Sequence, residues 1–140
     1  MLESDRAPEI AAPMPQQLSS VLVVEDDDAM RKAIERLLCA AGFHAVLFPS
    51  AEALLESDAA NSAGCLVLDI HLPGLSGFEL RRRLAALGQN APVIFITAQD
   101  EAATCAEAER LDCIAYFRKP FQGSALLETI RQALKLDPKH

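Results

Sequence analysis

Val21-Leu22-Val23-Val24-Glu25-Asp26-Asp27-Asp28 joins an unbroken apolar run to an unbroken acidic one. Four apolar residues without polar alternation suit a strand covered on both faces, as in a parallel sheet wrapped by helices. The period then changes. Met30, Ala33, Ile34, Leu37, Leu38 and Ala41 form one helical stripe, and Gly42 is placed to cap its C-terminus. The acidic residues therefore fall where a strand hands over to a helix.

The same unit recurs along the chain. The stretch 44–48 reads as a second strand, less uniformly apolar and so expected at an edge. Pro49 and Ser50 open a helix with Leu54 and Leu55 inward. Cys65-Leu66-Val67-Leu68 is a third, continuously apolar strand leading into Asp69. The loop Leu72-Pro73-Gly74-Leu75 follows, and Ser76 with Glu79 predicts a capping box for a helix through Leu80, Leu84 and Leu87. Val93-Ile94-Phe95-Ile96 is the fourth strand. The fourth helix, 100–110, has Ala102, Ala103, Ala106 and Ala108 as its inward positions. Residues 113–117 form the fifth strand, and a last helix carries Leu126, Leu127, Ile130, Ala133 and Leu134. Strands alternating with helices predict an α/β fold, a doubly wound five-stranded parallel sheet of order 2-1-3-4-5 flanked by five helices. Residues 1–18, with Pro8, Pro13 and Pro15, read as a flexible tail, 19–136 as the domain, and 137–140 as a tail or the start of a linker.

Composition agrees with this architecture. The chain has 140 residues, enough for one core, and with six Phe, one Tyr and no Trp that core is aliphatic. A formal charge of −7 argues against direct nucleic-acid binding, and Arg81-Arg82-Arg83 reads as a solvated helix face. No apolar stretch approaches the ~18 residues of a membrane span. Cys39, Cys65, Cys105 and Cys113 lack metal-ligand spacing and are expected as small buried hydrophobes in a reducing cytoplasm.

Polar residues interrupt the apolar runs at the same place each time. The first strand ends in Glu25 and Asp26, the third in Asp69, the fourth in Thr97, and the fifth, after a short step, in Lys119. In an open α/β sheet ligands bind outside the carboxyl ends of the strands, where the winding reverses. One of Asp27 and Asp28 is expected to cap the following helix; capping does not account for Glu25, Asp26 or Asp69. Three carboxylates in one pocket repel by about 4 kcal/mol per pair at close range. Raised pKa values or a cation must offset this, and a hard divalent ion, magnesium before calcium, is the natural partner. An Asp flanked by a metal, a Lys and a hydroxyl is arranged to accept a phosphoryl group.

Val23-Val24-Glu25-Asp26, Leu68-Asp69 with Leu72-Pro73-Gly74 and Gly77, Ile96-Thr97-Ala98 and Lys119-Pro120-Phe121 occur in order and at matching separations. On these motifs the stretch 20–136 resembles the CheY-like receiver domain of two-component response regulators. The resemblance implies that Asp69 takes a phosphoryl group from a sensor histidine kinase or a histidine phosphotransfer protein. It implies magnesium, with manganese able to substitute, held by Glu25, Asp26, Asp69 and the backbone carbonyl of His71. It further implies phosphoryl contacts from Thr97, Ala98 and Lys119, a switch role for Tyr116, and a cis Lys119–Pro120 bond. The side chains of His71 and Gln99 are expected to tune the lifetime of the phosphorylated state. Tyr116 read alone is equally an edge-strand aromatic, and His71 a loop histidine. Where the family usually has a Gly after the fourth helix this chain has Asp112, so that helix end is expected to differ in shape.

Phe48-Pro49-Ser50-Ala51-Glu52-Ala53-Leu54-Leu55 and Arg118-Lys119-Pro120-Phe121 resemble FixJ-type transcriptional regulators, which implies a DNA-binding domain beyond this chain and possible homodimerisation through the fourth helix, fifth strand and fifth helix. A stand-alone receiver acting through protein–protein contacts is the alternative. Such a domain is not an enzyme beyond its own phosphoryl transfer and slow autodephosphorylation. A phosphatase of the haloacid-dehalogenase type would want its D-x-D-x-T nucleophile motif at the first strand, whereas the candidate here is Asp69-Ile70-His71 after the third. A flavodoxin-type flavin site would not place acids in the loop after the first strand.

Overall fold

The computed structural model describes residues 20–98 and 102–135. The expected terminal tails, the side chain of Gln99 and the start of the fourth helix at Asp100 lie outside the described residues. In chain order the elements are β1 (Ser20–Val24), α1 (Asp28–Ala40), β2 (Ala45–Phe48), α2 (Ala51–Leu55), a 3-10 turn (Ala59–Ser62), β3 (Ala63–Asp69), α3 (Gly77–Ala86), β4 (Val93–Thr97), α4 (Ala102–Arg110), β5 (Ala115–Arg118) and α5 (Gly123–Lys135). The strands form one parallel sheet of order β2-β1-β3-β4-β5, the order expected. β1, β3 and β4 are buried throughout, whereas every residue of β2 is only partly buried, as suits an edge.

Two apolar clusters cover the two faces. On one, Leu22, Val24, Leu66, Leu68 and Phe95 meet Ala51 and Leu54 of α2, Leu80 and Leu84 of α3, and Ala108 of α4. On the other, Val21, Val23, Val67, Ile94 and Ile96 meet Ile34 and Leu38 of α1 and Leu126, Ile130 and Ala133 of α5. This division follows from the period-2 alternation of side chains along β1. At about 1.5–3 kcal/mol per fully buried large aliphatic side chain, these layers are the main source of stability.

The helix ends follow their local chemistry. Asp27 is the N-cap of α1, accepting from the N–H groups of Ala29 and Met30, and Ser76 caps α3 by accepting from Glu79 N–H. The Glu79 carboxylate faces Arg82 and Arg83. After α1, Gly42 (φ 91°) donates to Cys39 O and Phe43 to Leu38 O, a Schellman ending. α4 ends the same way. Asp112 adopts φ 58° and donates to Glu109 O, and Cys113 donates to Ala108 O. The altered helix end expected from Asp112 is therefore not found, because Asp is among the few non-glycine residues that visit the left-handed region.

Four expectations about burial need correction. Ala33, on the margin of the α1 stripe, is exposed. Leu87 is 67% exposed because α3 stops at Ala86 and leaves it as the C-cap. Of the four α4 alanines, Ala108 is buried while Ala102, Ala103 and Ala106 face solvent, so α4 inserts less into the core than its stripe suggested. All four cysteines are free, but Cys65 alone is fully buried, and Cys39 near the end of α1 is exposed. Burial pushes the Cys65 thiol up to about 12, which keeps it protonated. No helix among the described residues is long and apolar enough to cross a membrane.

Candidate functional site

β1, β3 and β5 each carry the hydrogen-bond ladder one step beyond their carboxyl ends, which sets the polar residues in register. Glu25 N–H donates to Phe48 O at 3.1 Å, Ile70 N–H to Ile96 O at 2.9 Å, and Lys119 N–H to Thr97 O at 2.7 Å. Glu25 thus directly follows β1, Asp69 and Thr97 end β3 and β4, and Lys119 follows β5. β1 and β3 are neighbours although β2 lies between them in sequence, so the site sits where the winding reverses.

Glu25 is wholly enclosed. Its Oε2 accepts from Asp27 N–H at 3.0 Å, its Oε1 lies 2.7 Å from Lys119 Nζ, and its backbone carbonyl accepts from Arg31 Nη1 at 2.9 Å. Asp69 is 4% exposed and has a partner on each carboxylate oxygen. Oδ1 accepts from His71 N–H and Oδ2 from Lys119 Nζ, both at 3.1 Å. Burial pushes the Glu25 carboxyl up to about 7; Lys119 and Asp27 N–H pull it down, and the charge of Asp69 adds to the rise. Burial pulls the Lys119 ammonium down, yet its contacts with Glu25 and Asp69 outweigh this and leave it above its ordinary value.

Asp26 is exposed at the mouth of the site, and one oxygen from each of Glu25, Asp26 and Asp69 lies within 4.8 Å of the others. The donor set is all oxygen, anionic and few in number. It fits a hard divalent cation that keeps part of its water shell. Lys119 can neutralise one of the three carboxylates, so excess negative charge remains for a metal to offset.

Thr97 is fully buried at the end of β4, and Ala98 is exposed just beyond it. Tyr116, on β5, packs partly buried against the cluster that contains Phe95. His71 is exposed on the loop after β3. The Lys119–Pro120 peptide bond is cis. The structure thus brings Glu25, Asp26, Asp69 and Lys119 into direct proximity.

The structural roles of three residues were not read from the sequence, although Gly77 and Glu52 stand in the motifs that carry the resemblance. Arg31 reads as an ordinary helix-surface charge, but it clamps the backbone of Glu25. Gly77 stands so close to the backbone of Asp69 that a Cβ would fall 2.3 Å from its carbonyl oxygen. Glu52, on α2, accepts from Leu75 N–H at 3.0 Å across 23 residues. A Gly at a helix start was the available signal for Gly77; contacts as distant as that of Glu52 leave no local pattern.

The response regulator receiver domain family matches residues 21–131. The response regulator protein TmoT of Ectopseudomonas mendocina is 37% identical over 126 residues, covering 90% of this chain and 57% of TmoT. The transcriptional regulatory protein FixJ of Bradyrhizobium diazoefficiens is 35% identical over 115 residues, covering 82% of this chain and 56% of FixJ. Among solved structures, FixJ-N superposes with a TM-score of 0.76 at 32% identity, over 84% of this chain and 94% of that one. Response regulator StyR gives 0.79 at 38% identity, over 86% of this chain and 61% of that one. The chain therefore spans little more than half the length of these curated relatives.

Proposed function

We propose, for a chain that belongs to the response regulator receiver domain family, that Asp69 is the phosphoryl acceptor, that the acidic cluster holds magnesium, and that Thr97, Lys119 and Tyr116 report the phosphoryl group to the α4–β5–α5 face. The observation that carries this reading is the state of the Asp69 carboxylate, held at one oxygen by His71 N–H and at the other by Lys119, beside Glu25 and Asp26. A carboxylate so oriented needs little reorganisation to attack.

In the transfer, an Asp69 oxygen forms a bond to phosphorus while the P–N bond of the donor phosphohistidine breaks. The electron pair of that bond stays on the imidazole nitrogen, and with one proton taken up by the ring from water the donor histidine departs as neutral imidazole. Magnesium held by Glu25, Asp26, Asp69 and the carbonyl of His71 would offset the charge of the phosphoryl oxygens. Lys119 exchanges part of its contact with Glu25 for a phosphoryl oxygen, and the Thr97 hydroxyl donates to another. Movement of Thr97 changes the space beside Tyr116, and α4 and β5 resettle, a pre-existing equilibrium biased by new charge-assisted contacts. The exposed His71 side chain gates water and so tunes the lifetime of the phosphorylated state.

The phosphodonor is a sensor histidine kinase or a histidine phosphotransfer protein, and the setting is the cytoplasm. Similarity to the transcriptional regulatory protein FixJ over little more than half its length supports a transcriptional regulator as the whole protein, and the α4–β5–α5 face is the surface proposed to pair in a homodimer on phosphorylation. Incubation with magnesium and a small phosphodonor, followed by intact mass, tests the acceptor. A gain of one phosphoryl group that is lost in Asp69→Asn is expected; persistence of the gain in that variant overturns the assignment.

A further inference from the structure

The loop 70–76 leaves the acceptor strand and returns to α3 under a small set of backbone ties. Ile70 N–H donates to Ile96 O at 2.9 Å, His71 N–H to Asp69 Oδ1 at 3.1 Å, and Gly77 N–H to Ile70 O at 3.0 Å. These lie within the sheet or the loop itself. The fourth tie is different in kind: Leu75 N–H donates to Oε2 of Glu52, a side chain on α2. Gly74 sits directly under the same carboxylate. Its φ is +77°, and a Cβ there would lie 2.6 Å from Oε2, 3.3 Å from Cδ and 3.4 Å from Oε1 of Glu52. The absence of a side chain at Gly74 thus lets the carboxylate lie flat against the backbone of the loop, in a conformation that favours Gly in any case.

Glu52 is itself held in place. It is in the first turn of α2, whose N-cap Ser50 accepts from Ala53 N–H at 3.1 Å. Leu75 N–H above all, then the N–H of Glu52 itself and the nearby Arg83, hold its carboxyl below the usual range and therefore charged. Ile70 and Leu72 are buried and pin the near limb of the loop. The far limb, Pro73 to Leu75, returns past α2, and the Glu52 hydrogen bond joins it there.

We infer that Glu52 is a positioning residue for the acceptor site: by fixing the far limb of the loop it keeps His71 N–H aimed at Asp69 and so sets the attack geometry of that carboxylate. The inference rests on the reading of Asp69 as acceptor. It assigns the α2–loop contact a kinetic role, coupling a helix on one face of the sheet to the reacting group.

The test compares wild type, Glu52→Ala, Glu52→Gln and Gly74→Ala. The readouts are the initial rate of phosphorylation by a small acyl phosphate with magnesium, followed by intact mass, the amide exchange of His71 and Leu75, and the urea midpoint. Glu52→Ala is expected to slow phosphorylation by about threefold to tenfold and to speed loop exchange, with the midpoint little changed. Gly74→Ala should slow phosphorylation and speed loop exchange to a similar extent by displacing the carboxylate, with a midpoint also lowered by the left-handed conformation. Glu52→Gln should stay within about twofold of wild type, because its amide oxygen accepts the same N–H. A wild-type rate in Glu52→Ala, or a Gln variant as slow as the Ala variant, overturns the inference. Failure of the wild type itself to gain phosphoryl mass removes the acceptor reading and this inference with it.

Discussion

Lys119 Nζ lies 2.7 Å from Oε1 of Glu25 and 3.1 Å from Oδ2 of Asp69. The lysine that follows β5 thus reaches across the ends of β4 and β3 to the residue that follows β1. Glu25 is wholly buried, so Lys119 is the counter-ion of a carboxylate that water does not reach. Without a metal, this contact offsets much of the repulsion in the acidic cluster.

Removing that ammonium should cost stability in a pH-dependent way. The Glu25 carboxyl rises from its ordinary 4.5 to about 7 on folding. An acid whose folded pKa is raised favours the folded state at low pH, and that contribution is lost as pH climbs from 4.5 through about 7. Lys119→Met would push the carboxyl higher still and extend the loss above neutrality. Metal-free urea denaturation should show a small difference from wild type near pH 5 and about 2 kcal/mol near pH 8.5. A difference independent of pH would show that Glu25 is not the group Lys119 stabilises.

Asp26 separates metal binding from folding, because it is exposed and belongs to the same oxygen cluster. Magnesium at about a hundred times its dissociation constant should stabilise the wild type by about 2.7 kcal/mol. In Asp26→Asn the metal-free stability should stay within about 0.5 kcal/mol of wild type, while the magnesium increment should shrink sharply. Thermal melts with and without the metal measure both. An undiminished increment in the variant would remove Asp26 from the ligand set.

Two glycines distinguish backbone contact from backbone conformation. At Gly77 a Cβ would lie 2.3 Å from the Asp69 carbonyl oxygen and 3.0 Å from its carbon, both backbone atoms of the proposed acceptor. At Gly42 nothing lies within 4 Å, but φ is +91°. Gly77→Ala should therefore cost about 3 kcal/mol or more and impair phosphorylation. Gly42→Ala should cost about 1 kcal/mol, the price of the left-handed conformation, and leave phosphorylation intact. Similar costs and similar rates for the two would contradict this account.

The strand order and the site at the carboxyl ends were legible because both rest on local patterns. Val21 to Val24 and Leu66 to Leu68 are continuous apolar runs, and the acids and Lys119 stand where those runs stop. The Lys119–Glu25 pair was not legible. Family resemblance directs attention to the phosphoryl group, whereas the geometry shows the ammonium nearer to Glu25 than to Asp69. Glu52 was hidden because its hydrogen bond spans 23 residues. Asp112 misled in the other direction: the substitution for Gly was visible, but its tolerance of φ 58° was decided by the helix-end hydrogen bonds. The α4 stripe failed for a compositional reason, since alanine fits an inward or an outward helix face equally well.

The shallow burial of α4 bears on how a phosphorylation signal would leave the proposed site. α1 buries Ile34 and Leu38 completely and packs Met30 and Leu37 beside them, whereas α4 has Ala108 as its buried residue. Two fully buried large aliphatic side chains at about 1.5–3 kcal/mol each, set against one alanine, leave α4 weaker by at least about 2–3 kcal/mol. Local opening draws on that difference, and each 1.4 kcal/mol is about tenfold in an equilibrium. Central amides of α4 should therefore exchange with solvent at least about thirtyfold faster than those of α1 under native conditions. Phosphorylation should alter exchange in α4 and β5 while leaving α1 nearly unchanged, because repositioning is cheapest where least is buried. Equal protection of α4 and α1 in the unphosphorylated protein would mean that α4 is held as firmly as the rest of the fold, and the switch would have to be sought elsewhere.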